Sequence, residues 1–471
     1  MTNAPVLVAG AGPAGLAAAR VLAEHGVDVV VCEQGARVGG MARTESYQGF
    51  RFDIGGHRFL TRVPEIQQLW EATLGGDFLT VPRLSRIFYR GHFFDYPISL
   101  VNAARNLGAW ESARLAASYA WARVRPAPHD ETFEQWVTNR FGQRLYRTFF
   151  KTYTEKVWGI PCTEIRADWA AQRIRGLTFR TAVSEALGGA NGAASLARRF
   201  HYPRLGPGQM WERFADRVAA GGGRLRLRTE VAKLRHDGRA VTTVDVDDGR
   251  VETLTVAHVV SSLPIGLLVE RLDPPAPQPV LKAVRRLRHR DFIMVGLVLD
   301  APTTFPDNWL YIHGPEVRVG RIQGFVNWSP AMVPDRGHAS LGMEYFCTAG
   351  DAVWSMADQD LLDLADRELR ALGLAGTARV EGGCVIRQRY AYPVYDSDYR
   401  ANLQTLREYL SGFTNLQTVG RNGLHRYNNQ DHSMLTGQLA ARNVLGERHD
   451  VWSVNTETSH LERQASKQPE M

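Results

Sequence analysis

Residues 420–434 read GRNGLHRYNNQDHSM, a run of hydrogen-bonding side chains set between the apolar segments LQTV and LTGQLAARNVL. Arginine forks and a tyrosine at this density suit an anionic, oxygen-rich ligand, because a guanidinium meets phosphate oxygens in pairs. His425 is a candidate acid or base, since an imidazole titrates near neutral pH. The alternative is that these groups cap a helix and satisfy one another, with Asp431 or Ser433 as N-cap. A second chemical signal opens the chain. VLVAGAGPAGLAAARVLAEHGVDVVVCE places Gly10, Gly12 and Gly15 in a GxGxxG turn between an apolar strand and an Ala/Leu-rich helix. The first glycine permits the turn, the second lets backbone approach a pyrophosphate, and the third allows close helix packing. The helix N-terminus then offers its amides and positive dipole end to the phosphates. Glu33, at the end of the next strand, is spaced to accept hydrogen bonds from a ribose, so a bound dinucleotide is expected.

The elements that must position these groups need a large chain. At 471 residues, 44% hydrophobic and 22% charged, the sequence predicts two globular domains or one nested pair. The net charge of +7 comes from arginines spread along the chain rather than gathered into runs, which is weak evidence for nucleic acid and is explained equally well by an anionic small molecule; no nucleic acid partner is expected. Cys32, Cys162, Cys347 and Cys384 show no paired or metal-ligand spacing, and reduced thiols are expected. The chain enters its first strand directly after MTNAP, which predicts a cytoplasmic protein. Residues 100–124 are apolar but interrupted by Arg105, Arg114 and Arg123, so they predict an amphipathic surface helix rather than a membrane span. No metal is expected, because Asp431 between His425 and His432 lacks a supporting carboxylate or cysteine. Glu155 and Lys156 are expected to form a surface or buried ion pair, with a catalytic role as the alternative, and the arginines at 285, 286, 288 and 290 a solvated helix face. The Gly/Ala-rich stretch 188–197 is expected to be mobile, and the polar tail 447–471 disordered.

Downstream of the first turn, GARVGGMARTESYQGFRFDIGGHRFL resembles the signature of the amine oxidase and protoporphyrinogen oxidase superfamily of flavoproteins. The resemblance implies non-covalent FAD, with Gly39, Gly40 and Arg43 around its diphosphate and Gly55, Gly56 and His57 beside the isoalloxazine. It implies backbone contact from Val231 to adenine, and places Gly420, Arg421, Ser433, Met434 and Leu435 at the flavin. The expected fold is α/β: a doubly wound, Rossmann-like FAD-binding domain of the GR2 type with an inserted substrate domain. The cofactor domain comprises 1–62, 205–264 and 400–446; the substrate domain comprises a helical part, 63–204, and a sheet part, 265–399. Within these, residues 208–238 read as a helix and then a strand, AHVVSSLP and LQTV as buried strands, and DFIMVGLVLD as a strand in the second domain.

FFKTYTEKVWGIP, RLGPGQMWERFADRV and GRNGLHRYNNQDHSM resemble, in the same order, segments of UDP-galactopyranose mutases. This likeness implies that Tyr153 stacks a uracil, that Trp158 walls the sugar site, that Arg173, Tyr392 and Tyr427 meet a diphosphate, and that Arg421 lies beside the flavin. Three positions depart from the mutase motif: Asn422 stands for a leucine, His425 for a tyrosine and Asn429 for an aspartate. They point to a different sugar or to a proton transfer. The expected activity is a redox-neutral isomerisation of a nucleotide-activated sugar through reduced flavin N5. The alternative is an oxidase, dehydrogenase or desaturase of the protoporphyrinogen oxidase type. An amine oxidase is disfavoured because FIMVGLVLD lacks the lysine such enzymes place near N5. NAD(P)H, as an external reductant, would have to visit the same site, since no second Gly-rich nucleotide motif is present.

Overall fold

The computed structural model describes residues 4–96, 98–167 and 199–455. Its first layer is a five-stranded parallel sheet in the spatial order Leu416–Thr418, His258–Ser261, Val6–Ala9, Val29–Glu33, Arg224–Leu227. Val6–Ala9 and Val29–Cys32 are buried throughout, which is why they read as unbroken apolar runs rather than alternating ones. On one face the helix Pro13–Glu24 begins directly at the glycine turn, with Pro13 in its first turn. The helix Gln430–Val444 crosses it at close range. A Cβ on Gly437 would lie 2.0 Å from the Ala14 carbonyl oxygen, so only glycine lets the two backbones meet. Trp211 and Phe214 of the helix Gly208–Ala220 fill the rest of that face. On the other face sits a four-stranded sheet ordered Val251–Thr255, Val241–Asp247, Glu230–His236, Leu272–Asp273.

Residues 208–238 therefore carry two strands where one was expected. Arg228, at φ 53°, breaks the run, and the chain leaves one sheet after Leu227 to enter the other at Glu230.

The second layer is a mixed seven-stranded sheet in the order Val380–Pro393, His289–Leu299, Ala339–Cys347, Arg321–Gly324, Trp309–Ile312, Ser85–Tyr89, His92–Asp95. All neighbours are antiparallel except the Ser85–Tyr89 and Trp309–Ile312 pair. Two of these strands come from the segment expected to be helical. Arg90 (φ 51°) and Gly91 (φ 77°) make the two-residue turn that joins them, the left-handed pair such hairpins need. The same segment also supplies helices: Leu100–Val124, kinked at Gly108; Phe133–Phe141, opened by a Thr132/Gln135 capping box; and Thr152–Trp158, which follows a π-helical turn at Tyr146–Lys151.

The expected tail is packed at its start. Val451 and Val454 are buried, and Arg426 donates to the carbonyls of Trp452 (2.7 Å) and Val454. Residues 456–471, the stretch 188–197 and Arg173 lie outside the described residues. No helix among the described residues is long and apolar enough to cross a membrane. Glu155 pairs with Lys151 (2.7 Å) rather than with Lys156, whose ammonium donates to the carbonyls of Gly314 (2.5 Å) and Val319 (3.3 Å). Arg290 lies in a strand and donates to Thr348 Oγ1 (2.6 Å), so it is not on the basic helix face.

Candidate functional site

The glycine turn is a backbone cradle. Gly10 sits at φ 98°, and a Cβ there would lie 2.3 Å from Ser262 Oγ; one on Gly15 would lie 1.9 Å from the Gly10 carbonyl oxygen. Those two glycines are required by the protein itself. Gly12 differs, since the nearest atom to its virtual Cβ is Gly40 Cα at 3.8 Å, leaving the cradle open at that residue. Gly39 (φ 103°) donates its N–H to the Ala11 carbonyl at 2.8 Å, which folds the second glycine pair, with Gly40 at φ 54°, onto the first. Glu33 splints both turns: Oε2 accepts from the Ala11 N–H (2.9 Å) and Oε1 from the Gly35 N–H (2.8 Å). Arg43 is held by Glu45 (2.6 Å), the Gly40 carbonyl (2.9 Å) and Gln388 (2.8 Å), tying the cradle to the long strand Val380–Pro393. Val231 is buried, and its carbonyl is taken by the Arg271 guanidinium.

The turn at 55–57 and the start of the last helix meet. Gly55 has φ 89°, and Gly56 lies against Trp309, whose ring atoms would be 3.4 Å from a Cβ. Burial pushes the His57 imidazole down to about 4, and Nε2 lies 2.7 Å from the Ile54 carbonyl. Gln430 donates to the His57 carbonyl (3.0 Å), and the Gly420 N–H donates to Thr436 Oγ1 (2.9 Å). The N-cap of the helix is Asn429, without a side-chain capping bond, and not Asp431 or Ser433. Ser433 and Met434 are buried and Leu435 half-buried; Met434 Sδ accepts from Trp70 Nε1 (3.1 Å). Asp431 is buried in the first turn without a hydrogen bond to either oxygen, the His432 ring being its neighbour (Nδ1 3.5 Å from Oδ1); Asn422 Oδ1 is likewise without a hydrogen bond. FAD fits this arrangement. Its diphosphate suits the open glycine cradle, and its imide and hydroxyl donors answer the acceptors left without a hydrogen bond.

Beside the turn at 55–57, aromatic and cationic side chains gather in one cluster. Tyr153 stacks on His313 (4.8 Å between ring centres) and stands edge-on to Tyr311 (5.5 Å). Trp158 stacks on Tyr395 (6.2 Å), and Tyr392 on Tyr427 (5.7 Å). The Arg421 guanidinium lies over Tyr427 (4.4 Å) and Tyr392 (5.8 Å), held by the carbonyls of Asn428 (2.9 Å) and Ala391 (3.1 Å). The fold thus gathers Tyr153, Trp158, Tyr392, Arg421 and Tyr427 from three distant segments. Asn429 is exposed at the helix start.

His425 has a different setting from the expected one. It is buried edge-on to His289 (4.6 Å) and Tyr395 (6.4 Å), and burial holds its pKa well below the ordinary histidine value. A ring kept neutral in this way is no acid at neutral pH.

Two residues of the cluster escaped the sequence reading. Arg321 hydrogen-bonds Glu344 and donates to the Tyr392 hydroxyl (2.7 Å); burial opposes its charge most strongly, and Glu344 together with the surrounding tyrosines Tyr392, Tyr153 and Tyr427 outweighs it, so its pKa stays above the ordinary arginine value. Arg58 lies between Phe200 and Trp309, 4.7 Å from each ring, and burial lowers it to about 10. Arg58 directly follows His57, inside the stretch whose end reads DIGGHRFL. Arg321 and Gln323 alternate with apolar neighbours in a short strand, which was the available signal.

Cradle, unbonded acceptors and aromatic cluster define an FAD-dependent enzyme with a doubly wound cofactor domain. The chain belongs to the flavin-containing amine oxidoreductase family, whose sequence profile matches residues 13–445. It spans 62% of the length of the first curated relatives it matches. dTDP-fucopyranose mutase of Escherichia coli is 26% identical over 170 residues, 34% of this chain and 44% of that protein. Coproporphyrinogen III oxidase of Mycobacterium leprae is 27% identical over 401 residues, 79% of this chain and 84% of that protein. Among solved structures, reduced UDP-galactopyranose mutase has the same fold, with a TM-score of 0.83 at 21% identity, covering 96% of this chain and 98% of that one.

Proposed function

We propose that this enzyme isomerises a nucleotide-activated sugar without net redox change, in the manner of a pyranose/furanose mutase. The observation that carries the reading is the convergence of Arg421 and Arg321 on the stacked pair Tyr392 and Tyr427. Guanidinium forks and phenol donors at one point suit a diphosphate better than an apolar substrate. Tyr153, backed by His313, offers a flat face for a nucleobase, and Trp158 closes the wall beside Tyr392. Bound FAD, when reduced, supplies a nucleophilic nitrogen, and the protein supplies orientation and anion binding. Gly55 to His57 and the helix starting at Gln430 would hold the ring, with His57 neutral beside it. Any NAD(P)H reductant would enter the same site. The mutase among the relatives supports the reading. A second reading, oxidation or desaturation in the porphyrinogen oxidase manner, is favoured by the 84% of the M. leprae oxidase that the chain aligns with.

The deciding experiment is an anaerobic titration of the reduced holoenzyme with UDP, dTDP and GDP, followed by flavin absorbance and fluorescence. Saturable binding of one of them supports the sugar-nucleotide reading and identifies the base. Silence toward all three, with oxygen consumption on a tetrapyrrole precursor, would replace it with the oxidase reading.

A further inference from the structure

The helix Leu100–Val124 packs one side on the protein through both apolar and polar groups and leaves an apolar stripe on the other. On its packed side Glu111 accepts from the Arg144 guanidinium, by Nη2 at 2.7 Å, and Ser118 Oγ accepts the Arg144 N–H at 3.0 Å. On its exposed side Trp110, Ala113, Ala117, Trp121 and Val124 follow one another at three- and four-residue steps, which places them on a single stripe. Trp110, Trp121 and Val124 are 75%, 61% and 76% exposed. An ordinary surface helix would bury such a stripe.

The charge around the stripe identifies what would cover it. Arg105, Arg114, Arg123 and Arg125 are all exposed, while Glu111, the sole acid between residues 100 and 125, is engaged by Arg144. The Arg125 guanidinium lies 4.9 Å from the Trp121 ring and that of Arg114 5.9 Å from Trp110. Indoles flanked by arginines suit the headgroup layer of a lipid bilayer, where the ring sits at the apolar boundary and the cation meets phosphate. A second copy of the chain would bring arginine edge against arginine edge with no acid to meet them. We propose that this face docks peripherally on an anionic membrane surface. The helix also packs through Ala103, Leu107 and Leu115 on Phe94, Phe149 and Tyr311, so docking would hold one side of the aromatic cluster at the lipid surface. This proposal is independent of the substrate reading.

Flotation of the full-length, FAD-loaded enzyme with phosphatidylcholine vesicles, with and without phosphatidylglycerol, tests it. Binding is expected only to the anionic vesicles, with a blue shift of tryptophan emission and loss of binding at high salt. The variant carrying Trp110→Glu and Trp121→Glu should retain FAD, because both side chains are exposed, and should bind at least about tenfold more weakly. Replacing Arg114 and Arg123 by glutamine should weaken binding and flatten its salt dependence. No binding to anionic vesicles, or binding unmoved by the tryptophan changes, overturns the proposal. A dimer by light scattering that the tryptophan variant splits, without lipid binding, would assign the face to a second copy instead.

Discussion

The cradle and the aromatic cluster are built by opposite means. The cradle uses backbone from consecutive residues: Gly10, Gly15 and Gly39 work because they have no side chain, and their neighbours lie within a few residues or across one strand. The cluster uses side chains alone, brought from residues 58, 153–158, 309–323, 390–395 and 421–427. A backbone site tolerates few substitutions and so leaves a spelled-out motif. A side-chain site can be assembled from many sequences, and its spelling carries less.

The sharpest way to break this contrast is to add a side chain to the cradle. Gly15→Val would drive Cβ to within 1.9 Å of the Gly10 carbonyl oxygen; the variant should lose about 3 kcal/mol or more of stability and purify without FAD. Gly12→Ala meets only Gly40 Cα at 3.8 Å, so its unfolding midpoint should hold while FAD retention falls. Absorbance at the flavin band together with urea unfolding separates a glycine needed by the fold from one needed by the ligand. Equal loss in both variants would show that Gly12 is also structural.

In the cluster the costs fall on charge. Glu344→Gln leaves Arg321 buried without its counter-ion and should destabilise the protein by about 3 kcal/mol in urea unfolding. Arg421→Ala should keep FAD, because the residue is not part of the glycine cradle, yet weaken binding of the preferred nucleoside diphosphate by about 1.5–3 kcal/mol in the anaerobic titration. Unchanged affinity would remove Arg421 from the ligand site.

The smallest effect is a slope in pH. Burial lowers His57, His258 and His289 to about 4, whereas the unfolded imidazoles take up a proton near 6.5. Between those values the unfolded imidazoles bind more protons, so the histidines' contribution to stability falls as pH drops from about 6.5 toward 4 and is level above. Each histidine contributes up to about 1.4 kcal/mol per pH unit in that window. His289→Gln should make the slope shallower in urea unfolding at pH 5 and pH 7; an unchanged slope would show that His289 is hydrated in the folded state.

Particular residues show what was legible. The strand–turn–helix–strand order of residues 6–33, the returning strands at 258–261 and 416–418, and the long strand in DFIMVGLVLD could all be read from apolar runs bounded by glycine and proline. The Ser85–Tyr89 and His92–Asp95 hairpin could not, because its turn is the unremarked pair Arg90-Gly91 and its partner strand lies more than two hundred residues away. Arg43 and Glu33 were assigned to the ligand by their motif positions, and each is engaged by the protein itself.

By itself the sequence determined the cofactor cradle and its doubly wound frame, because glycine positions and buried strands impose local rules that hold wherever the chain goes. Tertiary structure alone decided that Arg321 would face Tyr392, that His425 would be sealed against His289, and that Trp110 and Trp121 would point outward. Those outcomes depend on the register between strands and on which helix face is packed. Each is set by contacts between residues far apart in the chain, which no single segment encodes.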